Sequence, residues 1–264
     1  MVKNSRAVYQ HFRPDEQLFI EKCLDLIQQV EATYTFQVTE FLNPRQVTIL
    51  ITLVNQAGLH YYSSSDHYDT EYAKIIIAPE YYVLDVDDFE ISLLELTYNS
   101  KFNHLTHRQI MGTIINQLGI KRSVFGDILV SDGKVQLLVE QAMASYFIQT
   151  IKKIGKVSVG LKEVSLEILL PRIVNRQSQD VLVASWRADA IISEILRLSR
   201  SNAAKLLEKD KVKLNYTSLN KASQELETGD LLSIRGYGRY QIARNNGLSK
   251  SGKIKLTIEK ITEI

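Results

Sequence analysis

An α+β fold in three modules is predicted by three features of the sequence. Amphipathic helices alternate with short apolar strands over residues 1–80. A β-α-β-β-α-β order of elements follows over 81–175. A pair of short helices feeding several strands closes the chain over 182–264. In the first module, Leu18, Cys23, Leu24, Ile27 and Val30 recur near helical spacing, which predicts an amphipathic helix over 14–32. Asn43-Pro44 starts a second helix, with Asn as the cap and Pro in the first turn, and Gly58 ends it. LHYYSSSD and KIIIAPE then read as two strands joined by a polar loop.

In the second module, FEISLLELTY reads as a strand and Thr106 to Leu118 as a helix stopped at Gly119. Asp132-Gly133 inside GDILVSDGKVQLLVE signals a tight hairpin. QAMASYFIQTIKKI is expected to be a helix closed by Gly155, and KVSVGLKEVSLEIL a last strand. The order is that of the ferredoxin-like split βαβ arrangement, which RNA-recognition motifs share with many metabolic enzymes, so fold alone assigns no function. DGKVQLLVE also lacks the stacking aromatics of the usual RNA-recognition strands. The polar stretch Pro171 to Ser185 is read as a boundary.

Composition narrows the class. The chain has 264 residues, 45% hydrophobic and 23% charged, which describes a soluble globular protein able to bury a core without cross-links. Cys23 is the single cysteine, so no intrachain disulfide forms and a reducing compartment is expected. The polar N-terminus has no signal-peptide apolar region, and the run VTILITLV is too short to span a bilayer. A cytoplasmic protein without membrane partners is expected. Net charge is only +2, but residues 186–264 carry 15 Lys+Arg against 9 Asp+Glu, and residues 1–185 carry 17 against 21. A basic C-terminal part on a mildly acidic body suits a polyanionic partner, or simply a solvated lysine-rich surface.

The basic part holds the main motif. Ile191, Ile195 and Leu198 recur at helical spacing, Ser199 can cap the next helix, and Ala203, Leu206 and Leu207 share that helix's apolar face. KVKLN and GDLLSIRG read as the strands that follow. This pattern resembles the S4-type RNA-binding domain through Arg187, Asp189, Ser199-Arg200, Ala203, Leu206-Leu207, VKLN, Lys221 and Gly229-Asp230. Lys209-Asp210 departs from it where many members have glycine. The resemblance implies a basic surface gripping folded RNA by its phosphates, with contact roles for Arg187, Ser199, Arg200, Lys205, Lys211, Lys213, Lys221, Arg235 and Arg239. Physically, Arg200 sits at a helix N-terminus, where exposed N–H groups already favour an anion. The alternative is an ion pair with Asp189 or Glu194, and Asp189 itself reads as orienting Arg187 or Arg200.

HLTHRQIMGTIINQLGIKRSVFGDILV (His104 to Val130) resembles the signature of the YlmH family, whose members join such a module to an S4-type domain. The resemblance implies association with large ribosomal subunits carrying stalled peptidyl-tRNA, in ribosome-associated quality control, and links to cell division. Arg108, Lys121 and Arg122 would then be further RNA contacts. Alternatively, Lys121-Arg122 only complement a helix C-terminal dipole.

Other patterns carry no chemistry. GLSKSGKI spells most of a phosphate-binding loop, but Ile254 replaces the Ser/Thr that would hold magnesium and a strand follows, so a hairpin is expected. GYGRY has no following helix, His104 and His107 lack metal-ligand company, and DVDDFE lacks calcium-loop spacing. No cofactor and no metal are expected. The expected function is non-catalytic binding of structured RNA, ribosomal or transfer. The alternatives are an RNA-modifying enzyme, pseudouridine synthase- or methyltransferase-like, or a division scaffold meeting protein partners through the acidic N-terminal body.

Overall fold

The computed structural model describes residues 16–131 and 133–263; Pro14 and Asp132, invoked above as a helix start and a hairpin tip, lie outside them. Two compact units divide the chain, Met1–Arg172 and Ile173–Ile264. Helices and antiparallel sheets occur in both, so the class is α+β.

The first unit begins with α1 (Gln17–Thr33), β1 (Gln37–Val38), α2 (Pro44–Ala57), β2 (His60–Ser63) and β3 (Ile75–Ala78). On α1 the buried stripe is Ile20, Cys23, Ile27 and Val30. Leu18, expected in that stripe, is 68% exposed. It stands two residues from Ile20, about 200° around the helix, and so points away from the core. The α2 start is as read: Asn43 Oδ1 accepts from Gln46 N and Gln46 Oε1 accepts from Asn43 N, both at 3.0 Å. Gly58 ends the helix with φ +71°. The strands form an antiparallel sheet in the order β1-β3-β2. Ile75 and Ile77 pack on the helices, while Ile76 and Ala78 face a second cluster around Phe89.

The same unit continues with β4 (Ile91–Thr97), α3 (His107–Gly112), β5 (Phe125–Ser131), β6 (Lys134–Glu140), α4 (Ala144–Thr150), β7 (Lys153–Ile154), β8 (Val157–Ser158) and β9 (Gly160–Val164). The four longer strands make an antiparallel sheet in the order β5-β6-β4-β9. Thr106 caps α3 in a capping box with Gln109, as expected, but the helix widens to a π turn over Thr113–Gln117 before Gly119, whose φ is +66°. α4 stops at Thr150, short of the expected end. Gly155, φ +58°, instead sits in the turn joining β7 to β8, so it closes a hairpin and not a helix.

The second unit comprises β10 (Val174–Val183), α5 (Ala188–Leu196), α6 (Arg200–Glu208), β11 (Val212–Leu214), β12 (Thr217–Ser218), β13 (Leu231–Ile234), β14 (Gly238–Leu248) and β15 (Ile254–Glu263). Its antiparallel sheet runs β10-β15-β14-β13-β11-β12. The stretch read as a boundary is therefore a strand, paired with β15 from Val174↔Glu263 to Val183↔Ile254. Most of its side chains are exposed on both faces, which erases the apolar alternation that announces a strand. Ile191, Ile192, Ile195, Ala203 and Leu207 cover one sheet face, against Val212, Leu232, Ile234, Tyr240, Ile242, Leu256 and Ile258. Lys253 N donates to Ser249 Oγ at 2.9 Å inside the β14–β15 hairpin, where the phosphate-loop look-alike lies.

Candidate nucleic-acid interface

The α5–α6 junction places Ser199 and Arg200, while Arg187 caps the start of α5. Arg197 takes a left-handed φ of +53° at the end of α5, and Ser199 Oγ then accepts from Asn202 N at 3.3 Å to start α6. Arg200 is the first residue of α6, and its Nη2 donates to both oxygens of Asp189 at 3.0 Å. Arg187 forms a fork on the same carboxylate, Nε to Oδ1 at 3.0 Å and Nη2 to Oδ2 at 3.1 Å. Ala190 N also donates to Oδ1, at 2.9 Å. Burial opposes the charge of Asp189, but the hydrogen bonds and charges of Arg187 and Arg200 outweigh it and hold the carboxyl below its ordinary range.

The ion pair offered as the alternative role for Arg200 is therefore present, and Asp189 has the orienting role expected of it. Pairing does not remove the cationic character. Two guanidiniums share one carboxylate, and their side chains stay 41% and 54% exposed. Arg200 presents Nε and Nη1 beyond its bond to Asp189 at the α6 N-terminus, where backbone N–H groups add partial positive charge.

Lys221 belongs to this end of the unit. The segment after it runs beside the start of α5, with Asp189 N donating to Ala222 O at 3.1 Å and Ala188 N to Gln224 O at 2.8 Å. Lys205 is exposed on α6. The polar motif residues are structural. Asn215 and Tyr216 form the β11–β12 turn with φ of +48° and +69°. Asn215 Oδ1 accepts from Leu231 N at 2.9 Å, and its Nδ2 donates to Asp230 Oδ1 at 2.7 Å. Asp230 Oδ2 accepts from Glu227 N at 2.8 Å. VKLN and Gly229-Asp230 thus lock two turns together.

The remaining basic residues fall elsewhere. Lys211 and Arg235 meet past the end of α6, with Arg235 N donating to Lys211 O at 2.8 Å. Lys213 pairs across with Ser233, Ser233 with Arg239, Arg239 with Ile261 and Ile261 with Arg176. Cross-strand partners share a face, and this row alternates with the buried Val212, Ile234 and Tyr240. Lys213 and Arg239 therefore lie on the sheet face turned away from the helices. A single continuous cationic surface, as the motif suggested, does not form. Arg239 Nη2 donates to Tyr216 Oη at 3.1 Å. Arg176, which the boundary reading overlooked, belongs to the same row and donates to Gln241 Oε1 at 2.7 Å and Glu259 Oε2 at 2.9 Å.

In the first unit, Arg108 and Lys121 are exposed. Arg122 turns inward: its guanidinium stacks 3.5 Å from the Tyr72 ring centre and donates to Phe125 O. That geometry makes it a packing residue.

Comparisons with known proteins agree across the chain. Residues 15–82 match the family model "YlmH, N-terminal", and residues 85–168 match "Putative RNA-binding domain in YlmH". The chain is 33% identical over 253 residues to "Ribosome-associated protein quality control protein P2" of Bacillus subtilis, covering 96% of this chain and 98% of that protein. It also resembles the solved structure "Cell division protein ylmH from Streptococcus pneumoniae", at 40% identity and a TM-score of 0.53, over 60% of this chain and 96% of that one. With both modules of the first unit matched and a full-length relative at one-third identity, the chain belongs to the YlmH family.

Proposed function

We propose that the protein binds structured RNA without chemistry, and that its site of action is the large ribosomal subunit carrying peptidyl-tRNA during ribosome-associated quality control. The supporting names are those of the matched RNA-binding domain model and of the Bacillus subtilis relative. The observation that carries the reading is the Arg187–Asp189–Arg200 cluster, an exposed site of net positive charge at a helix N-terminus.

In this reading the second unit is an S4-type domain, supported by its two short helices packed on a sheet and by the Asn215–Asp230 lock. The strand order β5-β6-β4-β9 supports a ferredoxin-like, RRM-like central module. Its boundaries would be 81–175, preceded by the 1–80 module. The helix side of the second unit, with Arg187, Arg200, Lys205 and Lys221, seats RNA phosphates, and the protein acts by occupancy in the cytoplasm. Co-sedimentation with purified large subunits tests this. Binding is expected to fall steeply from 50 to 200 mM salt and to weaken on Arg200→Ala, as phosphate contacts require. Binding that ignores both salt and substitution contradicts the proposal.

A further inference from the structure

We infer that the first unit carries a separate docking surface for an extended, arginine-rich protein segment. It consists of exposed aromatic and aliphatic side chains set in a strongly anionic stretch of the fold. The segment that covers the β3 face bearing Ile76 and Ala78 contains Tyr81, Tyr82 and Val83. Tyr82 lies within, its ring centre 5.0 Å from Phe36 and 5.6 Å from Tyr62, and its hydroxyl donates to Asp88 Oδ2 at 2.7 Å. Tyr81 and Val83 point outward, 66% and 85% exposed. The Tyr81 hydroxyl donates to the main-chain carbonyl of Tyr34, a residue itself 69% exposed, so the Tyr81 side chain reaches the end of α1.

Charge selects the occupant. Residues 46–100 contain nine Asp or Glu and a single Lys or Arg, Lys74, although two of those acids are paired from elsewhere in the unit, Glu71 by Arg172 at 2.7 Å and Glu95 by Lys162 at 3.0 Å. Lys74 is 2% exposed, so it lends the surface almost nothing. Glu80, Asp85, Asp87 and Glu90 are exposed in the covering segment itself. Such a field repels RNA phosphates and attracts a cationic chain. Tyrosine faces in that field favour arginine, whose guanidinium stacks on rings and forks onto carboxylates. Anchored tyrosines are also the residues that dominate interface energetics. The surface is distinct from the Arg187–Asp189–Arg200 cluster that carries the RNA reading, which lies in the other unit and has the opposite charge. Asp85, Asp87 and Glu90 nonetheless fall at the start of the stretch matched by the RNA-binding domain model.

Fluorescence anisotropy of the full chain with a labelled twelve-residue Arg/Gly peptide tests the assignment, with a Lys/Gly peptide of equal charge beside it. The arginine peptide is expected to bind several-fold more tightly than the lysine peptide. A Tyr81→Ser/Val83→Ser double variant, altered only at exposed side chains, should weaken arginine-peptide binding at least fivefold. An Asp87→Asn/Glu80→Gln variant should do the same, and both should co-sediment with ribosomal subunits as the parent does. Two results overturn the inference: unchanged affinity in the serine variant, or binding that tracks self-association in sedimentation velocity.

Discussion

Arg200 reaches Asp189 through one nitrogen, Nη2, 3.0 Å from each carboxylate oxygen. The bond crosses from α6 to α5 and, with the Arg187 fork, makes Asp189 the fixed point of both arginines. Asp189→Asn would leave both guanidiniums without their counter-charge. A loss of about 2 kcal/mol in urea unfolding at pH 7 is expected, the scale of hydrogen bonds to charged groups. Because the folded carboxyl titrates below its ordinary range, the stabilisation is complete above about pH 4, the unfolded value. It is lost as pH falls through the lower folded value. The stability gap between parent and variant should therefore close towards pH 2, and a gap of constant size would refute this role.

The two sides of the second unit provide an internal control for RNA binding. Arg187→Ala and Arg200→Ala should each reduce the slope of log affinity against log salt by about 1. The losses should be similar across RNA sequences, since phosphates carry none. Lys213→Ala, on the face away from the helices, should leave the slope as it is. The measurement is filter binding of a ribosomal RNA fragment over a potassium chloride series.

Asn215 tests the lock between the turns. Its φ of +48° favours Asn or Gly, and its side chain serves both Leu231 N and Asp230. Asn215→Ala should cost about 2–3 kcal/mol, combining left-handed strain with loss of the bonds around Asp230. Asn215→Gly, which removes the bonds but not the conformational fit, should cost less. Equal losses in thermal unfolding would show that the backbone conformation contributes nothing.

Local signals were the readable ones. Asn43 with Gln46, Gly58 and Ser199 act within four residues of themselves, so their caps could be placed before any fold was known. The Arg200–Asp189 pair was legible as an option because the two residues open successive helices, 11 positions apart. β10 was not legible, since its side chains are polar on both faces and its partner strand lies about 80 residues later. Nor could the separation of Lys213 from Arg200 be read. Alternation in VKL sets Lys213 opposite Val212, but which face the helices cover is a tertiary decision. Gly155 reads equally as a helix stop or a hairpin tip, and the β7–β8 pairing decided it.

Gly126 is a second residue whose role only the fold reveals. It lies buried in β5, and a Cβ there would stand 2.6 Å from Phe41 Cε1, 2.9 Å from Phe41 Cδ1 and 3.2 Å from Leu138 Cβ. Phe41 is 2% exposed and packs with Leu93 and Leu138, so the ring has little room to yield. Gly126→Ala should therefore destabilise by about 1–3 kcal/mol, the usual cost of overpacking, despite alanine's better backbone entropy. Because the clash is with one ring, Phe41→Leu should recover part of the loss. In a double-mutant cycle by urea unfolding, the pair should cost less than the sum of its single changes. Strict additivity would mean that the penalty arises from the strand backbone and not from the ring.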